Sequence, residues 1–143
     1  FTSVLGTLLF AGVREALRET RGTVVFVCNT TTQPGQTDNF TVLEHVRWLV
    51  TTLGAGVLDI ALINQSEELD AELLAHYADE GLHLLHPDPD QLQAIRALGV
   101  EPLVRDLVEV TNEKRQLWNK QDTLRHDLEV LGMALWKIAL DHR

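Results

Sequence analysis

The stretch Thr23 to Leu53 reads TVVFVCN, TTTQPGQTDN, FTVLEHVRWLVTTL, and its reading decides the fold. The first piece is a continuous β-branched and aromatic run, the pattern of a parallel strand buried on both faces. The last piece repeats apolar residues at Val42, Leu43, Val46, Leu49, Val50 and Leu53, the spacing of one helical face. Between them lies a polar loop rich in hydroxyls and amides, Asn29 to Asn39. It falls at the carboxyl end of a strand and the mouth of a helix, where open α/β sheets bind ligands.

The loop has readable mechanics. Pro34-Gly35 suits the middle of a type II turn, Pro presetting φ and Gly supplying the positive φ that follows. Thr30, Thr31, Thr32 and Thr37 alternate with Gln33 and Gln36, so hydroxyl and amide donors gather beside the free N–H groups of the coming helix. That arrangement suits a phosphate or another anion. The competing reading is a plain connection whose Thr41 or Asp38 caps the helix.

Working outward, Phe1 to Thr20 reads as one helix, capped by Thr2 or Ser3 and stopped at Arg21-Gly22, with Val4, Leu5, Leu8, Leu9, Val13 and Leu17 on its apolar face. Val57 to Asn64 is a second strand, ending in Asn64 at the same edge as the main loop. A helix from Glu67 to Asp79, capped by Ser66, follows. Leu82 to His86 reads as a short third strand. His83 and His86 look like a metal pair, but strand geometry sends them to different faces, and no metal site is expected there. The run Pro87-Asp88-Pro89-Asp90 reads as a rigid turn that caps a small helix from Gln91 to Leu98, and Pro102 to Val108 is a fourth strand. Glu109 to Asp122 reads as an exposed polar connection with a helical turn around Trp118. The final helix begins near Asp127. Its stripe of Leu128, Leu131, Leu135, Ile138 and Ala139 is read as core material, with Trp136 packing beside it on the sheet or a neighbouring subunit.

Alternation of helices and strands predicts an α/β fold with a mostly parallel sheet covered on both faces, and 143 residues suit a single domain, 1–143. Right-handed connections collect the strand-end loops on one edge, which would bring Asn29, Thr32, Gln33, Gly35 and Asn64 together. The net charge of -9 argues against a general nucleic-acid or anionic-membrane binder. No run approaches the ~18 apolar residues of a membrane span. The single cysteine, Cys28, lies in the apolar strand; it reads as a buried small hydrophobe and is compatible with a cytoplasmic location. No catalytic pairing is visible. The three tryptophans could serve a homo-oligomer interface, although core packing is their commoner fate.

Asn29-Thr30-Thr31-Thr32-Gln33-Pro34-Gly35-Gln36-Thr37-Asp38 resembles the N-x-M-T-Q-P-G-E-T-D signature of the gluconeogenesis-factor (YvcK-like) family, itself related to the CofD 2-phospho-lactate transferases. Phe1 to Leu5 is similar to the family's aromatic-T-S-V-L segment, Ala61 to Asn64 to its apolar strand ending in Asn, and Leu124 to Asp127 to its late RHD segment. The resemblance implies a Rossmann-like three-layer sandwich of which only the C-terminal part is present, because the family's Gly-rich loop and first strands have no counterpart. A nucleotide site in such folds is shared between two halves of the sheet. It further implies a nucleotide-sugar ligand of the UDP-N-acetylglucosamine type and a regulatory role in carbon metabolism and cell shape. Thr2 and Ser3 would lie near its phosphate. The ligand-binding residues would then be Thr2, Ser3, Asn29, Thr32, Gln33, Gly35, Thr37, Asp38 and Asn64. The alternative is a Mg2+-dependent transferase moving a phospholactyl group to a deazaflavin acceptor, and whether the chain is an enzyme stays open. Gln36 stands where the family usually has Glu, which removes a carboxylate and weighs toward binding without catalysis. Thr31 replaces an apolar residue, and Gly6 and Ala11 replace prolines.

Overall fold

In the computed structural model the carboxyl ends of three parallel strands meet at one edge, and the order along the sheet follows the chain. The structure describes residues 1–66, 71–108 and 124–142. Strand β1 is Val25–Val27, β2 is Ile60–Asn64 and β3 is Glu101–Arg105. Val25 pairs with Ile60 and Val27 with Leu62, while Ile60 pairs with Glu101 and Asn64 with Arg105. Pro102 is tolerated because β3 has β2 on one side only among the described strands, so its missing N–H interrupts no ladder there.

Helices α1 (Thr2–Leu8) and α2 (Ala11–Glu19) precede the sheet, and α3 (Val42–Leu53) joins β1 to β2. Helices α4 (Ala71–Asp79) and α5 (Pro89–Ala97) join β2 to β3, and α6 (Leu128–Asp141) closes the described chain. The boundaries of α3 coincide with its predicted apolar repeat, because a capping box fixes the start. Thr41, rather than Asp38, is the cap: its hydroxyl accepts from the Glu44 N–H, and the Glu44 carboxylate accepts from the Thr41 N–H at 2.7 Å. The Thr41 hydroxyl and N–H both hold the Glu44 carboxyl below its usual range. Gly54, with φ of 100°, ends the helix as only glycine does comfortably.

One face of the sheet carries the main core. Phe26, Cys28, Ala61 and Ile63 point toward Leu8, Val42, Val46, Leu49 and Ile95 of α1, α3 and α5. Ile60 and Leu62 alternate to the other face and are equally buried. Each such aliphatic side chain contributes about 1.5–3 kcal/mol by leaving water.

Four expectations need correction. The first helix is two, parted at Leu9-Phe10, where Phe10 is extended (φ −73°, ψ 120°) and starts α2. Gly6 and Gly12 flank the break, each weakening a helix by about 1 kcal/mol relative to Ala. Leu82–His86 is not a strand of the sheet; Leu84 instead bridges Thr31 in antiparallel sense. All three of the remaining predicted strands are longer in the sequence reading than the ladders that form, the middle one starting at Ile60 rather than Val57. The stripe on α6 is only partly core: Ile138 is buried, Leu128 is 84% exposed, and Trp136 at 58% does not pack into the sheet. The expected connection at Glu109 to Asp122, with Trp118, and the first residues of the helix expected from Glu67 lie outside the described residues.

Candidate functional site at the carboxyl edge of the sheet

The loop after β1 is built in two parts. Thr30, Thr31 and Thr32 are buried and run antiparallel to residues 83–85. The Thr32 N–H donates to the His83 carbonyl (2.8 Å), the Leu85 N–H to the Thr30 carbonyl (2.9 Å), and the His83 N–H to the Thr32 hydroxyl (2.9 Å). The hydroxyl of Thr30 donates to the Leu124 carbonyl at 2.7 Å. These threonines are therefore braces of the loop, although an accepting hydroxyl such as that of Thr32 keeps its own proton to donate.

The tip is the predicted turn. Gly35 has φ of 74°, and the Gln36 N–H closes onto the Gln33 carbonyl at 3.0 Å. Thr37, 1% exposed, holds the turn from beneath: its hydroxyl accepts from the Gln33 N–H at 2.8 Å. Pro34, Gly35, Gln36, Asp38 and Asn39 face solvent and Gln33 is half-buried. The loop so presents amides and backbone outward while its hydroxyls face in.

Helix α1 starts against this tip. The Thr2 hydroxyl donates to the Gln36 side-chain carbonyl at 2.5 Å, so the exposed Thr2 and Ser3 stand beside the turn. Gln36 thus accepts a hydroxyl where the family usually places a carboxylate. His45, 0% exposed, anchors the far end of the loop. Its Nδ1–H donates to the Thr41 carbonyl at 2.7 Å, and Phe1 and Phe40 pack edge-on at centroid distances of 4.5 and 5.4 Å. Burial pulls its pKa down, keeping it neutral.

Asn29 and Asn64 reach the same edge, since the β1–β2 ladder continues through the Cys28 N–H to the Leu62 carbonyl (2.9 Å). Asn64 is 1% exposed. Its Oδ1 accepts from the Leu107 N–H (2.8 Å) and lies 3.3 Å from the Ser66 hydroxyl. That hydroxyl has one proton, and Asp106 at 2.7 Å is the nearer acceptor. Ser66 serves as a strut under the strand ends, and the helix start it is expected to cap lies outside the described residues.

Sequence reasoning placed no segment over this edge, but the structure does. Leu124 to Asp127 crosses it as a strap. Thr30 holds one end, His126 bridges Val108, and the Asp127 N–H donates to the Leu107 carbonyl at 2.7 Å. Asp127 then caps α6, accepting from the N–H groups of Glu129 and Val130. Burial lowers the His126 pKa, partly opposed by its hydrogen bond to the Cys28 backbone. Arg125 is exposed on the strap, which adds a cation to an edge that also carries Arg105 at the end of β3 and the carboxylates of Asp38 and Asp106. No periodicity signals this crossing.

Cys28 is fully buried, and burial pushes its thiol up to about 12, which makes it inert as a nucleophile. Among the described residues no three His, Cys, Asp or Glu side chains converge to hold a metal ion. Asp38, exposed on the loop, would be a lone carboxylate for Mg2+, and the residues described do not by themselves fit that ion. A wide groove of about 630 Å³ lies at the opposite, amino edge of the strands, between Arg18, Arg21, Asp59, Glu101 and His142. Its polar groups are partly used by the fold, Asp59 accepting from the Val24 N–H and Arg18 donating to the Leu53 carbonyl. No helix of the described residues is long and apolar enough to cross a membrane.

Comparison with known proteins places this geometry. The family model for 2-phospho-L-lactate transferase CofD matches residues 1–108. The gluconeogenesis factor of Bacillus subtilis is 31% identical over 135 residues, which are 94% of this chain and 38% of that protein. That of Halalkalibacterium halodurans is 33% identical, with the same coverage of 94% and 38%. A crystal structure of a UPF0052-family protein from Bacillus halodurans superposes with a TM-score of 0.75 at 29% identity, covering 93% of this chain and 38% of that one. The chain thus spans about two-fifths of the length of these relatives.

Proposed function

The chain belongs to the CofD family and is homologous to bacterial gluconeogenesis factors, and from that premise we propose that it takes part in binding a nucleotide sugar of the UDP-N-acetylglucosamine type as a regulator of carbon metabolism and cell shape. The observation that carries the reading is the joining of Thr2 to Gln36, which sets a helix start and the Asn29–Asp38 loop side by side at the carboxyl edge. A diphosphate placed there meets backbone N–H groups, the amides of Gln33 and Asn29, and the Ser3 hydroxyl, with Arg125 supplying charge. Such a set neutralises phosphate by dipoles and one cation without activating it. Thr32 and Thr37 act here chiefly by holding Gln33 and Gly35 in place. A cytoplasmic location and a homo-oligomer belong to the same proposal, the latter supported by the exposed Trp136.

The family's transferase name supports a second reading, a Mg2+-assisted transfer of a phospholactyl group to a deazaflavin. The absence of a convergent acidic set among the described residues weighs against it. Calorimetric titration of UDP-N-acetylglucosamine into the protein tests the first reading, which expects saturable binding weakened by Gln33→Leu. Product formation from a phospholactyl nucleotide and a deazaflavin, with no affinity for the nucleotide sugar, would establish the second instead.

A further inference from the structure

Three side-chain atoms about the carboxyl edge are buried without a hydrogen-bond partner among the described residues, His45 Nε2, Asn64 Nδ2 and His126 Nε2; the His45 ring is packed between Phe1 and Phe40, while the other two share one framework. The Asn64 amide is oriented from its other end, where Oδ1 takes the Leu107 N–H. Its two amide hydrogens therefore point away from that donor and have no partner among the described residues. His126 is the complement. One ring nitrogen is used on the Cys28 backbone and burial favours the neutral ring, so Nε2 carries a lone pair and can only accept. One framework holds both: Leu107 gives its N–H to Asn64 and its carbonyl to Asp127, while Val108 bridges His126. Unpaired buried polar groups are rare in native proteins, and each calls for a ligand, a water or a role.

We infer that Asn64 Nδ2 and His126 Nε2 form a paired reading point for a ligand group that accepts and donates hydrogen bonds at once. A sugar hydroxyl, an N-acetyl amide and the imide edge of a pyrimidine are groups of this class. A phosphate is not, since it would face the His126 lone pair with acceptors alone. The inference rests on the nucleotide-sugar reading and divides its ligand: phosphates go to the Asn29–Asp38 loop, and the uncharged end goes to this corner. Both atoms are shielded from solvent, so the strap from Leu124 to Asp127 moves outward as the ligand enters.

The test follows the Asn64 side-chain amide and the His126 ring nitrogens by 15N NMR in the protein as it stands. The probes are UDP-N-acetylglucosamine, UMP, uridine, free N-acetylglucosamine and inorganic diphosphate, with affinities measured by calorimetry. Expected are shifts of both resonances with at least one uncharged or mixed probe and none with diphosphate. Asn64→Asp keeps the acceptor for Leu107 but loses the donor, and should weaken UDP-N-acetylglucosamine about 10- to 100-fold, the effect of one buried hydrogen bond, while diphosphate affinity stays within about twofold. His126→Phe should do the same, and His126→Gln, which keeps a donor and an acceptor, should recover part of the loss. Equal weakening of diphosphate would make the pair merely structural and overturn the inference. If no nucleotide binds, the nucleotide-sugar reading fails; uridine or N-acetylglucosamine shifting both resonances would then still uphold the corner. Silence of both resonances to every probe, as a buried water only would give, overturns it.

Discussion

Three consecutive threonines in the site loop should respond to the same substitution in three different ways. Thr30, Thr31 and Thr32 are all at most 5% exposed. Replacement by Val keeps the branched shape and removes only the hydroxyl, so burial of apolar surface barely changes. Thr32→Val strips the acceptor from the His83 N–H (2.9 Å), leaving a part-buried donor unpaired at about 1–2 kcal/mol. Thr30→Val removes the donor to the Leu124 carbonyl (2.7 Å). A carbonyl has two lone pairs and is less sensitive to losing a partner, so this should cost about 0.5–1.5 kcal/mol. The Thr31 hydroxyl has no hydrogen-bond partner among the described residues, and Thr31→Val should lie within about 0.5 kcal/mol of zero. For a domain of this size each kcal/mol shifts Tm by roughly 2–4 °C, so the drops should be about 2–8, 1–6 and under 2 °C. Urea unfolding of the three variants, with m-values held equal, provides the comparison. Were Thr31→Val the most damaging, or the three alike, the assignment of these hydroxyls as braces would be wrong. The same logic means that a binding test at this loop should use Gln33→Leu alone, because Thr32→Val also loosens the scaffold.

Removing the capping box by Thr41→Ala should cost about 1 kcal/mol, measured as a lower urea midpoint with unchanged m-value. Acid should destabilise the protein through His45 and His126. Both folded pKa values are lowered from 6.5, so the unfolded chain binds more protons and stability falls as pH drops below that value; a midpoint that rises between pH 7.5 and 5.5 would contradict this. Gly35→Ala should cost about 1 kcal/mol from its positive φ, since a Cβ there meets nothing within 4 Å, and the loss should show in thermal unfolding. Trp136→Lys should leave Tm within about 2 °C, because the ring is 58% exposed, while sedimentation reports whether it shifts association.

Much of the carboxyl edge was legible in the chain because its signals are local. The turn at Pro34-Gly35, the cap at Thr41, the period of α3 and the Asn at the end of β2 each depend on neighbours within a few residues. What escaped depends on distant partners. The apolar run at Leu82–Leu85 satisfies its backbone on Thr30–Thr32 instead of the sheet, which no propensity distinguishes. The α6 stripe has helical period, but period does not say what covers it; Leu128 is left in solvent while Ile138 is not. The inward turn of the threonine hydroxyls was equally invisible, since it follows from pairing with His83 and Leu124.

The strap ties Thr30 to Leu124 across 94 positions of chain. Contacts of that separation close late, because most of the entropy of the intervening chain must already be lost before they form. The carboxyl edge is then the last part of the molecule to be completed and the first to come undone. In native-state hydrogen exchange, the amides of Leu107 and Asp127 should open at a lower free energy than those of Ile60–Asn64. A molecule so opened keeps its sheet and loses its site, so occupancy of the site and order of the strap become one equilibrium.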